Sequence, residues 1–448
     1  MLDKIKNNIF LKSTLVLLIG GTIGKAVGFI LKIIITRTLG SEGMGLYSML
    51  SPTISLITVL STFSYPTSIS KVISSNSERS KTIILSLLPL SFIMNAFIIL
   101  ITIIFAKTLS TNLLHNSSLY FPIICISVLA PFISVSSIIK GYFWGRQNMF
   151  PYMLSNFLEQ VTRLILIGIF IPKIIKIGLI HAICFIILVN AIGEVISQIV
   201  MIYYFPKKSI SFKKEYISKT AIKKVMDVSI PSTSSKIVGS FSYFLEPIIL
   251  TNVLLFVGYS NDFIVNEYGI INAYAMSLLL LPAFFTQNMA TSLIPELSKY
   301  YSVKDYKMCI KRIKQIVLIS CTIGSVSTLV IVLFPKFFLN LLYKTSFGID
   351  YIRILSPFTI LFYIEYPLSN ALQALGKSTE AMKISITSSI IRLIAIAALS
   401  LLRIGMYSLI LSIIINYVFI RILEKVVDIY DIGSIEKSNT IWCFFYGA

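Results

Sequence analysis

About twelve apolar runs of roughly 20 to 30 residues follow one another along this 448-residue chain, joined by short polar connections. No other feature limits the fold so strongly. A helix rises about 1.5 Å per residue, so each run can cross a hydrocarbon core about 30 Å thick. Composition agrees: 56% of residues are hydrophobic and 13% charged, where a soluble domain is about a quarter charged. Mean hydropathy is +0.86. These values exclude a secreted disulfide scaffold, a disordered regulator and an ordinary nucleic-acid-binding domain. The predicted fold class is all-α, a polytopic membrane protein.

The first six spans are expected near 13–36, 46–70, 82–106, 118–140, 150–172 and 177–205. The second six are expected near 226–257, 267–294, 315–342, 352–374, 380–402 and 405–426. The basic stretch 1–12 precedes a run too long for a signal-peptide core, so the first run reads as a retained helix. The resulting organisation is a six-helix half (1–206), a basic linker (207–224), a second six-helix half (225–426) and a tail (427–448).

The net charge of +20 comes from 39 Lys and Arg against 19 Asp and Glu. With the N-terminus inside, 26 of the 39 basic residues fall in cytoplasmic segments, eight in external ones and five within spans. This bias is the positive-inside pattern, and it predicts a cytoplasmic-membrane protein with both termini in the cytoplasm. It also accounts for the basic excess without nucleic acid as a partner. Five cysteines are scattered without a CxxC pair, and two histidines cannot assemble a metal site or a triad. No Walker-type phosphate loop occurs, so the chain reads as no ATPase and no enzyme, with no bound cofactor.

The two halves read as a repeat. Gly45 and Gly269 each open a span, and Thr67-Ser68 and Thr291-Ser292 share their offset of 224 residues. Lys25-Ala-Val-Gly28 resembles Lys236-Ile-Val-Gly239, and Thr162-Arg163-Leu-Ile resembles Ile391-Arg392-Leu-Ile at the same stage of each half. An even number of helices per half makes the repeats parallel, related by a pseudo-twofold axis along the membrane normal, as in transporters that bind substrate between rocking halves.

Charges inside spans cost about 2.5–3.5 kcal/mol each at mid-helix, so they tend to line a cavity or pair with one another. The cations are Lys25, Lys32, Arg163, Lys236 and Arg392, and the anions are Glu159, Glu194, Glu246 and Glu365. Lys25 and Lys32 share one helix face about 10 Å apart along the axis. They read as a cationic ladder into a cavity, or Lys32 reads as a chain snorkelling toward an interface. Cations in equivalent places of two halves suit an anionic substrate such as a diphosphate and do not suit a cationic drug. Glu159 and Arg163 stand at i,i+4, where they can pair. Arg392 has Ser388 at the matching place and needs a partner elsewhere or a substrate. Glu246 and Glu365 read as counter-ions, with proton or sodium coupling as the alternative. Prolines 52, 66, 231, 247, 282, 357 and 367 either break helices or mark their ends.

Gly24-Lys25-Ala-Val-Gly28-Phe29, then Thr36-Arg37-Thr-Leu-Gly40-Ser-Glu42-Gly43-Met-Gly45-Leu-Tyr47, resemble the multidrug/oligosaccharidyl-lipid/polysaccharide exporter superfamily. Gly141-Tyr-Phe-Trp-Gly145-Arg146-Gln147-Asn148-Met149, Glu159-Gln160-Val-Thr-Arg163 and Leu372-Gln373-Ala-Leu-Gly376-Lys377 agree with its stage V sporulation protein B and polysaccharide biosynthesis family. The resemblance implies the exporter fold and translocation of an undecaprenyl-diphosphate-linked glycan, with lipid II for spore cortex peptidoglycan as the expected substrate. Lys25 stands where related lipid II flippases carry an arginine of the cationic cavity, and Arg37 matches a second basic position before the loop glycine. Many of those flippases have fourteen helices, against the twelve read here.

The expected substrate-binding set is therefore Lys25, Lys32, Arg37, Arg163, Lys236 and Arg392, with Glu159, Glu246 and Glu365 as counter-ion or coupling groups. The expected partners are the lipid-linked oligosaccharide diphosphate and membrane lipids, with cell-wall synthesis enzymes as further candidates. Membrane potential, H+ or Na+ would drive the cycle. The alternatives are a cation-coupled multidrug exporter and a non-transporting scaffold for cell-wall enzymes.

Overall fold

A computed structural model describes residues 9–75, 80–205 and 218–432, and every regular element among them is helical. Most of the basic linker and most of the tail, Cys443 included, lie outside the described residues. Among the described residues, eight helical stretches are long and apolar enough to cross a membrane. Ile23–Ser74, at 52 residues, takes in the later part of the first expected run (13–36) and all of the second (46–70). The expected run 267–294 is broken, 352–374 lies in a proline-containing helix, and the last run is represented by the shorter apolar helix Tyr407–Leu423. The all-α polytopic fold read from the sequence is therefore the fold observed.

The helices divide into two compact units. The first comprises Met1–Ala275 and Lys336–Gly348. It holds α1 (Ile9–Thr62), α2 (Tyr65–Ser74), α3 (Ser80–Lys107), α4 (Tyr120–Ser127), α5 (Leu129–Gly145), α6 (Phe150–Ile174), α7 (Leu179–Tyr203), α8 (Lys219–Val257) and α9 (Asn261–Gly269). The second comprises Met276–Pro335 and Ile349–Ala448, with α10 (Met276–Leu279), α11 (Ala283–Ser302) and α12 (Tyr306–Leu333). The short α13 (Pro335–Tyr343) belongs, past its first residue, to the first unit. The second unit continues with α14 (Ile349–Ala374), α15 (Ser378–Ser400) and α16 (Tyr407–Ile432).

Local chemistry explains the boundaries. Within α1 only Gly40 leaves helical geometry (φ 69°, ψ −170°), a region closed to residues with a β-carbon, and the chain changes direction there. Phe63 and Ser64 take positive φ, and Pro66 then sits in the first turn of α2, where its missing N–H is harmless. Pro282 stands at the N-cap of α11. Pro52, Pro231, Pro247, Pro357 and Pro367 lie inside helices. Ser218, Ser260 and Asp305 cap α8, α9 and α12 by accepting from Ala221, Phe263 and Met308 backbone N–H groups.

The core of the first unit forms where α5 meets α2. β-Carbons at Gly141 and Gly145 would lie 2.7 Å from the Cβ atoms of Ile69 and Ile73, respectively. This small-xxx-small stripe lets the two backbones approach closely, as membrane helices do when lipid offers no hydrophobic driving force. Ile69, Ile83, Leu87 and Ile138, all buried, fill the space around the crossing.

Candidate functional site

Lys25 and Lys32 of α1 flank a glycine that approaches α6. Gly28 lies between Lys25 and Lys32, and a β-carbon there would meet Gln160 Oε1 of α6 at 3.6 Å. Residues spaced three and four apart share a helix face. Both lysines therefore lie on the α1 face that packs toward α6, and both are exposed. Lys236 of α8 is exposed as well. Among the described residues, neither Lys32 nor Lys236 makes an ion pair.

Next to Gln160 stands a buried charge group. Glu159 Oε1 and Arg163 Nη2 are 2.6 Å apart on one turn of α6. Their side chains are only 7% and 16% exposed, so water screens the pair weakly. Lys140 of α5 and Glu194 of α7 approach to 3.5 Å. Glu159 lies within electrostatic range of Glu194 and Lys140, and Tyr152 within range of all three. Two cations and two anions thus neutralise one another inside the unit, as charges placed among spanning helices must. Room for this group comes from Gly193 on α7. A β-carbon there would lie 2.6 Å from Arg163 Nε and 3.2 Å from Glu159 Cγ.

Arg37 is engaged elsewhere. Its Nε donates to the Leu342 carbonyl at 2.6 Å, and its Nη2 donates to the Leu341 carbonyl. Both carbonyls belong to the last turn of α13, where helix geometry leaves acceptors without intrahelical donors and a cation is favoured. Glu246 is buried on α8 and accepts from the Tyr268 hydroxyl of α9 at 3.4 Å.

In the second unit, Glu365 of α14 and Arg392 of α15 both act electrostatically on Tyr417, a buried residue of α16. Glu365 also lines a cavity of about 70 Å³ with Ser369, Ser385, Ile384 and Ile420. That volume holds water or a small ion and no glycan.

The structure thus brings Glu159 together with Arg163 against Gly193, on the same helix whose Gln160 approaches Gly28 of the lysine stripe, and sets Arg37 apart on a helix end. Sequence reasoning missed two participants. Lys140 ends the expected span 118–140 and is not among the cations read within spans, and Gly193 is recognisable only as a glycine preceding Glu194 in an apolar helix.

The polysaccharide biosynthesis protein model matches residues 10–301, and the MatE model matches residues 240–399. Stage V sporulation protein B of Bacillus subtilis (strain 168) is 30% identical over 86% of this chain and 76% of its own length. Lipid II flippase MurJ of the same organism is 21% identical over 86% of this chain and 76% of its own. Among solved structures, the inward-facing conformation of a multidrug resistance MATE family transporter of the MOP superfamily superposes with a TM-score of 0.77 at 17% identity. It covers 93% of this chain and 96% of that one.

Proposed function

Because the chain belongs to the polysaccharide biosynthesis family of the MOP superfamily that includes stage V sporulation protein B, and is a membrane exporter of that kind, we propose that it flips an undecaprenyl-diphosphate-linked glycan across the cytoplasmic membrane. Lipid II destined for spore cortex peptidoglycan is the proposed substrate. The observation that carries this reading is the distribution of neutralised charge. Arg163 and Lys140 already have carboxylate partners, whereas Lys32 and Lys236 make no ion pair among the described residues. Two exposed lysines that make no ion pair among the described residues suit an anion of the charge a diphosphate carries. Lysine offers a mobile point charge, in place of the bidentate fork of arginine.

The proposed cycle has two six-helix halves, 1–206 and 225–426, that alternate in access, with both termini cytoplasmic. Lys25, Lys32 and Lys236 bind the diphosphate from the cytoplasmic leaflet while the isoprenoid stays in lipid between helices. The Glu159–Arg163 pair, already neutralised, leaves the lysines as the charge available to the substrate. Bound diphosphate neutralises the site and permits outward rocking. The emptied cationic site is drawn back by a negative-inside potential, worth about 2.3 kcal/mol per elementary charge per 100 mV.

A cation-coupled drug exporter would need a carboxylate open to its cargo in the first six-helix half, 1–206. Glu159 and Glu194 are the candidates there, and both face cations at 2.6 and 3.5 Å. That observation favours the anionic substrate.

The deciding experiment replaces the endogenous flippase of a depleted host with this chain and measures lipid II on the outer leaflet. Restored exposure that disappears in a Lys25→Ala/Lys236→Ala double variant is the expected result. Intact flipping in that variant refutes the site, and no flipping from a well-expressed chain refutes the substrate.

A further inference from the structure

The two glycines that mark equivalent positions of the sequence repeat touch each other. A β-carbon at Gly269 would lie 2.5 Å from the backbone nitrogen of Gly45 and 2.8 Å from its Cα. In return, a β-carbon at Gly45 would lie 2.8 Å from the Val265 carbonyl carbon and clash with its oxygen. No residue other than glycine permits this crossing of α1 and α9. Contacts of this kind let Cα–H groups face carbonyl oxygens at short range.

Three further links gather at the same end of the first unit. Arg37 of α1 caps α13 through the Leu341 and Leu342 carbonyls. His115, in the 108–119 connection, shares a hydrogen bond of 2.8 Å with Asn252 of α8, and Asn261 of α9 donates to the His115 carbonyl at 3.0 Å. A β-carbon at Gly348 would stand 3.0 Å from Ile270 Cγ2. With the N-terminus inside, the expected span bounds put the connections around 37–45, 107–117, 258–266 and 343–351 on the external side. Apart from the Gly348–Ile270 contact, these links join α1 and the 108–119 connection to α8, α9 and α13.

We propose that the Gly45–Gly269 crossing is the outward gate of the transporter, and that Arg37 is the latch holding it closed. The inference rests on the alternating-access reading above. Opening must part α1 from α9 and withdraw the Arg37 guanidinium from the end of α13. Arg37 is then a positioning residue of the cycle and makes no contact with substrate in the closed state. The crossing seals because backbone meets backbone, leaving no side chain whose rotation could leak.

The test is accessibility from outside. Ser48 is 8% exposed and follows Gly45 by three residues, on the same face and on the cytoplasmic side of the crossing in the proposed orientation. In a chain whose five native cysteines are replaced by alanine, Ser48→Cys should react slowly with a membrane-impermeant maleimide applied to intact cells. Arg37→Gln or Gly269→Ala should raise that rate by about tenfold or more, as expected when charge-assisted hydrogen bonds are lost from one of two states. Unchanged labelling in both variants, each eluting as a monodisperse protein, overturns the proposal. Should Gly269→Ala fail to fold, Arg37→Gln alone decides, since its side chain is exposed and packs in no core. Lipid II exposure in the same cells separates the two claims. A responsive cysteine without lipid II flipping keeps the gate and refutes the substrate. Normal flipping with an unresponsive cysteine keeps the substrate and refutes the gate.

Discussion

Glu159 and Arg163 meet at 2.6 Å on a single turn of α6, pressed against the bare backbone of Gly193. The pair cancels its own charge, so it can stand behind a substrate site without competing for the substrate. Its energetics follow from burial. Separating the partners strands a charge where water cannot reach it, and removing both does not.

Glu159→Gln should therefore destabilise the protein by about 3–5 kcal/mol, the usual consequence of leaving one member of a buried pair alone. Glu159→Gln combined with Arg163→Gln should recover much of that loss. Thermal unfolding in detergent, arranged as a double-mutant cycle, measures the coupling. Equal, additive losses from the two single variants would show that the pair is energetically idle.

Gly193→Ala inserts a methyl group 2.6 Å from Arg163 Nε. Overpacking of this kind costs about 1–3 kcal/mol. The expected outcome is a lowered unfolding midpoint, with Gly168→Ala as the control, because no atom lies within 4 Å of a β-carbon there.

Gly141→Val and Gly145→Val should force α5 away from Ile69 and Ile73. The loss of close packing predicts poor expression and aggregation in detergent. Truncating the opposing residue in Gly141→Ala/Ile69→Ala should restore part of the yield, which fluorescence-detected size-exclusion chromatography can follow.

Lys25→Ala, Lys32→Ala and Lys236→Ala should each weaken diphosphate capture by about tenfold to a hundredfold, the scale of one hydrogen bond to a charged group. Lys25→Arg should retain activity, because charge is the property required. Concentration dependence of lipid II flipping in reconstituted vesicles distinguishes weaker binding from slower turnover.

Much of this molecule could be read from one dimension because a bilayer acts on long averages. A run of 20 apolar residues crosses it whatever its neighbours, so the spans and the all-helical class followed from hydropathy. The Glu159–Arg163 pair was equally readable, since i,i+4 neighbours meet on any helix. Gly45 and Gly269 were recognisable as repeat-related positions at an offset of 224 residues. That they touch was not. The broken run 267–294 also escaped prediction, since its average hydropathy conceals the π-helical turn Ile270–Ala275 and the break before Ala283.

Identity, spacing and mean polarity thus determined which segments span, which charges lie within them and which pairs are close along a helix. Arg37 shows the limit. Its sequence neighbourhood marks it as a conspicuous basic residue beside Gly40, but its partners are carbonyls of Leu341 and Leu342, about 300 residues away. Lys140 and Glu194 are separated by 54 residues, and their pairing depends on how α5 and α7 lie together. Contacts between helices depend on backbone approach, which glycines at a few crossings permit and which no local pattern encodes.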